Sequence, residues 1–401
     1  MTKNFSLRAR WVVPVDGTPI SGGVVTVADG LIADVGSRAD GPVDDLGDVV
    51  LLPGLVNAHT HLEFSELDQP LGKPGMALPE WIHQVIANRG SKQRDPQRAI
   101  ATGLQESSRL GVTTLGDIAT ESVIDAAANQ PEVVGFQEVI GFSAARCDSS
   151  LAEVEQRLAA SKNQRGISPH APYTVHPTLL KRLVDLACKQ NLPVAMHLAE
   201  SPEELELLAE GTGPFQQLLE ERSMWDSGAI PANSRPLDYL KVLARVPQTI
   251  VVHGNYLASD EIEFLANQRD QMSVAYCPRT HTFFGHSTYP LEKMLSTGVR
   301  VALGTDSRAS NPDLSLLGEM RHVAQHHPGI SPDQILHMGT LSGAQALGLE
   351  HVAGSITPGK QANLTAVPCD SQTEDPIESV VAGSTNPAAT LIRGRRLSPE
   401  L

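Results

Sequence analysis

The residues of this chain able to do chemistry gather at the ends of short apolar runs. His59 and His61 close one run, in Asn57-Ala58-His59-Thr60-His61. Residues i and i+2 of a strand share a face, so both imidazoles can be aimed at one point, an arrangement suited to ligating a metal. His170 ends Ser168-Pro169-His170, and His197 and Glu200 end Met196-His197-Leu198-Ala199-Glu200. His253 ends Val251-Val252-His253, and Asp306 ends Leu303-Gly304-Thr305-Asp306. Taken singly, each reads as readily as a packed or capping residue. Their convergence is what carries weight: five of eight apolar runs end in a group that can bind a metal or move a proton. Chance would scatter such groups over both strand ends, helices and loops. His83, His322, His326, His327 and His337 fall in helical patterns instead and read as surface or packing residues.

Placing those ends together requires a particular scaffold. The eight runs are Leu55–His61, Val112–Ile118, Val133–Phe142, Gly166–His170, Val194–Glu200, Thr249–Gly254, Met272–Cys277 and Val299–Asp306. Helical stretches such as Pro177–Gln190, Pro236–Arg245 and Ser259–Gln268 fall between most of them. Strands alternating with helices call for a parallel sheet, and eight such units over about 300 residues call for an α/β fold closed as a (β/α)8 TIM-type barrel. An open doubly wound sheet is the alternative, but no GxGxxG follows a strand. A parallel barrel builds its site at the C-terminal strand ends, where these residues lie.

Both ends of the chain have a different texture. Trp11–Val15, Gly23–Val27 and Leu31–Val35 are short β-rich runs separated by Asp16-Gly17 and Asp29-Gly30 turns, as in a small antiparallel sheet. After the turn cluster Gly354–Gly359, strands are expected at Asn363–Val367 and Val380–Ile392. The expectation is a small β-sandwich domain from 1–53 and 355–401, with the barrel over 54–354.

Composition narrows the function class. The 401 residues are 41% hydrophobic and 19% charged, enough for a substantial core and unlike a disordered chain. A net charge of −15, from 31 basic and 46 acidic residues, argues against a nucleic-acid partner, which needs a basic footprint. Arg393, Arg395 and Arg396 read as the polar edge of a last strand. Cys147, Cys188, Cys277 and Cys369 are far apart and form no CxxC pair, which fits a reducing compartment. The first dozen residues lack the apolar core of a signal peptide, and no apolar run approaches the ~18–20 residues of a spanning helix. The expectation is a cytoplasmic protein with a small-molecule substrate and no membrane partner.

Together, Pro53-Gly54-Leu55-Val56-Asn57-Ala58-His59-Thr60-His61, His170-Ala171-Pro172-Tyr173-Thr174, the His197/Glu200 pair, His253 and Gly304-Thr305-Asp306-Ser307 resemble the amidohydrolase superfamily. Within it they are most similar to the branch of triazine hydrolases, chlorohydrolases, adenosine-type nucleoside deaminases and guanine deaminases. The resemblance covers nearly the whole chain, with Gly354–Val367 similar to the return into the small β-domain. It implies that His59, His61, His197 and Asp306 hold one divalent metal; this donor set suits zinc and would also accept iron(II) or manganese. It implies that Glu200 and His253 handle protons, with Asp306 assisting, and that His170 contacts substrate. Relatives with two metals bridge them with a modified lysine on the fourth strand. Here the only lysine between Gly141 and His176 is Lys162, ahead of that strand, so one metal is expected.

The chemistry implied is a deaminase acting on an amino-substituted heterocycle, with metal-activated water as nucleophile and Glu200 as proton shuttle. Glu200 lies three residues beyond His197, so an ideal strand would turn it away. It must therefore sit just past the strand end, where Ser201-Pro202 breaks the strand. The seventh-strand loop departs from the branch: its Cys-Pro-x-Ser-Asn is replaced by Cys277-Pro278-Arg279-Thr280-His281. Arg279 and His281 are candidates there for substrate specificity. Leu62-Glu63-Phe64-Ser65 is similar to a subgroup that includes aminodeoxyfutalosine deaminases, making Glu63 a candidate for a purine edge or ribose and Trp81 a candidate aromatic wall. A chlorohydrolase or cyclic amidohydrolase would use the same constellation, whereas a non-catalytic scaffold would have lost ligands. A homodimer is an expectation of the resemblance alone.

Overall fold

A computed structural model of the chain describes residues 4–39, 41–91, 95–120, 129–160 and 165–397; Lys162 lies outside them. Eight strands form one sheet: β1 (Leu55–Thr60), β2 (Val112–Ala119), β3 (Glu132–Val139), β4 (Arg165–Pro169), β5 (Val194–Leu198), β6 (Thr249–His253), β7 (Met272–Tyr276) and β8 (Arg300–Leu303). Every neighbouring pair is parallel. The strands are buried on both faces, which is why they read as continuous apolar runs rather than as alternating ones. Val56, Ala58, Ile118, Val134, Phe136, Ala195, Ile250, Val252, Ala275 and Ala302 come from seven of the eight strands and pack on one another inside the barrel. Val194, Met196, Leu198, Val251, Val274 and Val301 alternate with them and belong to the layer shared with the surrounding helices.

The barrel closes at the end that carries the site. Thr60 and Asp306 form a parallel bridge, and the amides of Thr305 and Asp306 both donate to the His59 carbonyl at 3.1 Å. Fully buried Asn57 seals the seam: its side chain donates to the Thr305 hydroxyl at 2.8 Å and accepts from the Thr305 amide at 3.1 Å. The same bonds that close the sheet therefore set the spacing between the His59/His61 strand and Asp306.

Beside the barrel, strands from both ends of the chain make two smaller sheets. One runs Leu31–Gly36, Val24–Ala28, Phe5–Arg8, Val43–Asp45; the other runs Arg395–Arg396, Ala389–Ile392, Leu364–Pro368, Val49–Pro53, Trp11–Val12, Ile20–Ser21. Leu7, Val12, Val25, Val27, Ile32, Leu51, Leu364 and Leu391 share their core. Each sheet is mixed rather than antiparallel, because Phe5–Arg8 pairs in parallel with Val43–Asp45 and Trp11–Val12 with Val49–Pro53. Gly54 leads straight from this region into β1. A Cβ there would lie 2.1 Å from the Thr113 hydroxyl, so the close approach of β1 to β2 requires glycine.

The expected strand Val380–Ile392 is corrected: a helix, Pro376–Ala382, occupies its first part, and only Ala389–Ile392 is a strand. Asp375 accepts from the Ile377 and Glu378 amides, and Pro376 stands at the first helical position, a strong helix start that the apolar residues beyond it obscure. The last pair, Arg395–Arg396, is exposed on the edge of its sheet, while Arg393 pairs with Glu132 at 2.6 Å. All four cysteines are free. Among the described residues no helix is long and apolar enough to cross a membrane.

Candidate active site and metal centre

The buried groups at the strand ends converge. His59 Nε2 and His61 Nε2 each lie 3.6 Å from Asp306 Oδ1, and His61 Nε2 lies 3.4 Å from His197 Nε2. Tetrahedral ligands bonded at about 2.0–2.1 Å are separated by roughly 3.4 Å, so these spacings are those of donors around one ion. Among the described residues, two sets of potential donors lie within 4.8 Å of one another: His59, His61 and Asp306, and His59, His197 and His253. Nε2 of His59, the nitrogen aimed at Asp306, is buried without a hydrogen-bond partner, which a packed histidine avoids and a ligating one explains. His197 donates its Nδ1 proton to the His170 carbonyl at 2.9 Å, leaving the Nε2 lone pair free to ligate.

Electrostatics agree with that use. Burial, reinforced by neighbouring imidazoles, pushes His61 and His197 well below the usual histidine range, so both stay neutral and able to donate a lone pair. Burial works the other way on Asp306, yet the surrounding His59, His61 and His253 hold it far below the usual carboxylate range. The Asp306 carboxylate also accepts from Ser310 at 2.9 Å, through Oδ2. The residues present fit a single divalent metal.

The backbone at these positions departs from a regular pleat. On β6, Ile250 and Val252 face the interior, so strict alternation would send His253 outward. Its φ of 67° turns it back, with its ring centroid 5.3 Å from that of His197 and 5.7 Å from that of His59. Ala199 (φ 52°) and Asp306 (φ 54°) are also left-handed. Such a conformation costs a non-glycine residue about 1–2 kcal/mol and persists where neighbours hold it. The holders are present. Tyr289 donates to the His253 carbonyl at 2.8 Å, and Thr60 to that of Asp306 at 2.9 Å. Glu204 accepts from the amides of Ala199 at 2.8 Å and Glu200 at 3.0 Å, while Asn255 donates to the Glu200 carbonyl at 2.8 Å. On β1, a register shift between Asn57 and Thr60 breaks the pleat beside His59 and re-aims the end of the strand.

Glu200 thus lies past the end of β5, with Oε1 3.3 Å from His253 Nε2 and Oε2 accepting from the Tyr173 hydroxyl at 3.4 Å. Burial, with Asp306 and Glu204 adding like charge, raises its pKa well above the usual carboxylate range. Burial lowers His253 to about 3. Their environments push a carboxyl and an imidazole in opposite directions, a pattern suited to proton transfer.

The remaining candidates are distributed around this centre. The His170 ring lies 4.8 Å from that of His197; its Nδ1 shares a proton with the Thr174 hydroxyl at 2.9 Å, and its Nε2 is 3.8 Å from Glu138. Glu63 takes Arg89 at 2.6 Å, and Arg89 also pairs with Glu138 at 3.3 Å, so Glu63 reaches the His170 side of the site through Arg89. Trp81 donates its indole N–H to the Ala309 carbonyl at 3.1 Å and stands edge-on to Phe284, tying the loops after β1, β7 and β8 together. Arg279 is turned onto Glu319 (2.7 Å) and Asp313 (2.8 Å) and donates to the Ser315 carbonyl at 3.1 Å, so its charge is committed to holding that loop. His281 is buried beside Tyr289, ring centroids 5.6 Å apart. His83 pairs with Glu221 on the surface, and His322 stacks on His326 and meets the Thr282 hydroxyl at 2.8 Å.

Arg89, Glu138, Tyr173, Glu204, Asn255 and Tyr289 add to the set expected from the sequence. Tyr173 stood in the motif that ends with Thr174, and Glu204 carried the Ser201-x-x-Glu204 spacing of a helix start. Its carboxylate reaches past Ser201 to the two amides before it.

An amidohydrolase family model matches residues 50–397. The chain is 31% identical over 386 residues to 5-methylthioadenosine/S-adenosylhomocysteine deaminase of Moorella thermoacetica, covering 89% of this chain and 83% of that one. It is 30% identical over 357 residues to aminodeoxyfutalosine deaminase of Deinococcus radiodurans, covering 83% and 82%. An adenosine deaminase from Xanthomonas campestris, solved with bound zinc, shares its fold at a TM-score of 0.80 and 24% identity, covering 98% of this chain and 92% of that one. With the match, the barrel and the mononuclear donor set in agreement, this chain belongs to the amidohydrolase family, as a metal-dependent hydrolase of carbon–nitrogen bonds other than peptide bonds.

Proposed function

We propose that this protein is a mononuclear aminohydrolase that deaminates the purine of an adenosine derivative. The observation that carries the reading is Glu200, buried, raised in pKa and 3.3 Å from His253, beside a four-residue donor set of His59, His61, His197 and Asp306. The named deaminases among the relatives point the same way.

A divalent metal held by those four residues, zinc by the chemistry of three imidazoles and a carboxylate, would supply a nucleophilic water of pKa near ~7. The protein's own groups do the rest. Glu200 takes a proton from the attacking water and delivers it to the ring nitrogen next to the carbon attacked. A second water proton goes to the departing amino group, which leaves as ammonia; oxygen replaces nitrogen on the ring. His253, neutral through burial and 3.3 Å from Glu200, would orient the nucleophile and stabilise the oxygen added to the attacked carbon, and Asp306, kept ionised, would help hold the metal and accept a hydrogen bond from the attacking hydroxyl. In this reading His170 would meet the substrate directly, with Glu63 acting through Arg89 and Trp81 supplying a wall from the helix after β1.

The test is ammonia release by metal-replete protein across adenosines, free aminopurines, pterins and aminotriazines, with Glu200→Gln as control. Release confined to adenosines and abolished in the control supports the reading. Chloride release from a chlorotriazine, or opening of a cyclic amide, with no ammonia from any adenosine, would replace it.

A further inference from the structure

Beside His253 lie two more histidines that the proton chemistry does not use. His281 and His286 belong to the segment after β7, with ring centroids 5.4 Å apart. The His281 ring stands edge-on to Tyr289, whose hydroxyl holds the His253 carbonyl. The His286 ring lies 5.7 Å from that of Phe284, which meets Trp81 edge-on. The pair therefore sits at the rim of the mouth, between His253 and the Trp81 wall.

In each ring Nε2 is buried and has no hydrogen-bond partner, and His281 is only 8% exposed. Leaving such atoms unpaired is costly, so buried polar groups of this kind are ordinarily satisfied by something. Desolvation lowers His281 to about 3 and His286 to about 4, so both are neutral at pH 7 and each offers one N–H and one lone pair. In His286, Nδ1 is paired with the Tyr256 hydroxyl at 3.1 Å.

We infer that His281 and His286 form a hydrogen-bonding subsite for an uncharged, hydroxyl-bearing part of the substrate, such as the sugar of a nucleoside. A carboxylate offers only lone pairs, whereas a hydroxyl both donates and accepts and so suits a neutral imidazole in either tautomer. It can answer His281 Nε2 and also His286 Nε2, whichever way the Tyr256–His286 proton lies. This assignment rests on the deaminase reading and adds a recognition element to it.

The experiment is a cycle between protein and ligand. Ammonia release is measured with adenosine and its 2′-deoxy, 3′-deoxy and 5′-deoxy analogues, for wild type, His281→Ala and His286→Ala. His286→Gln and Tyr256→Phe stand in for any variant that fails to fold, as judged by melting. In wild type, one hydroxyl deletion is expected to lower kcat/KM about tenfold, mainly through KM. In the variants adenosine should lose about the same factor, while the matching deletion should cost little more. Equal sensitivity of wild type and variants to every deletion would overturn the subsite, as would a wild type indifferent to all three. Silence of metal-replete wild type on every adenosine would overturn the deaminase reading and the subsite with it.

Discussion

Replacing Glu204 with glutamine is predicted to make the protein more stable and less active at the same time. Glu204 is fully buried, seven residues beyond His197, and binds the backbone rather than any reacting group. Burial raises its pKa from 4.5 to about 7, against the pull of the Glu200 and Ala199 amides. A carboxyl that titrates at 4.5 unfolded and about 7 folded binds more protons in the fold between those values. Its contribution to stability is fully present below pH 4.5 and is lost as the pH rises through 7. At ~1.4 kcal/mol per unit the loss amounts to about 3 kcal/mol by pH 8. Glutamine cannot ionise and escapes it. The melting temperature of Glu204→Gln should therefore match wild type near pH 5 and exceed it by a few degrees at pH 8.

Activity should move the other way. Glutamine keeps one acceptor oxygen but presents an NH2 to the second amide, so the left-handed turn at Ala199 loses one of its two holders and Glu200 its fixed aim. A catalytic group displaced by about 1 Å costs up to ~10²-fold, so kcat should fall about 10- to 100-fold with metal content unchanged and KM little altered. Melting curves at pH 5 and 8, with metal-normalised kcat at pH 8, measure both arms. A kcat within twofold of wild type would refute the reasoning, as would kcat and melting temperature falling together at both pH values.

Other expectations rest on the same geometry. Tyr289→Phe removes the hydroxyl that holds the left-handed His253 carbonyl and should lower kcat about fivefold to tenfold with little change in melting temperature, read from steady-state kinetics and thermal melts. Removing metal with a chelator should abolish turnover and lower the melting temperature, because the fold would lose the ion shared by the converging nitrogens of His59, His61 and His197; zinc should restore both at one ion per chain by elemental analysis. Gly111→Ala should destabilise by about 1–3 kcal/mol in chemical denaturation with kcat intact, since φ is 86° and a Cβ would lie 2.6 Å from Thr365, far from the site.

Much of the scaffold was legible because parallel strands buried on both faces are continuous apolar runs, and helices separate them. Run lengths were less so. Val299–Asp306 reads as one strand, yet β8 ends at Leu303, because Gly304 and Thr305 are spent on the closing seam with His59 and Asn57. The strand-end histidines and Asp306 could be picked out by type and position. What aims them could not, since the decisive features break the period-two rule: the shift on β1 and the left-handed turns at Ala199, His253 and Asp306. Glu200 was the exception, since its offset of three from His197 already required a turn past the strand end. Arg89 and Glu138 were invisible because they lie 26 and 75 residues from Glu63 and meet only in the fold. Arg279 shows the converse: its loop position fits a substrate contact, but Glu319 and Asp313, which occupy its guanidinium, are 40 and 34 residues away.

The central claim, that Glu200 and a single metal site replace an amino group by oxygen from water, is tested most directly by turnover in 18O-labelled water. Metal-replete protein is incubated with 5′-methylthioadenosine, and product mass and ammonia are monitored together. One 18O in the purine product, ammonia released one for one, and loss of both in Glu200→Gln with its metal retained are the expected results. Product without label, or labelled product formed equally well by Glu200→Gln, would contradict that claim.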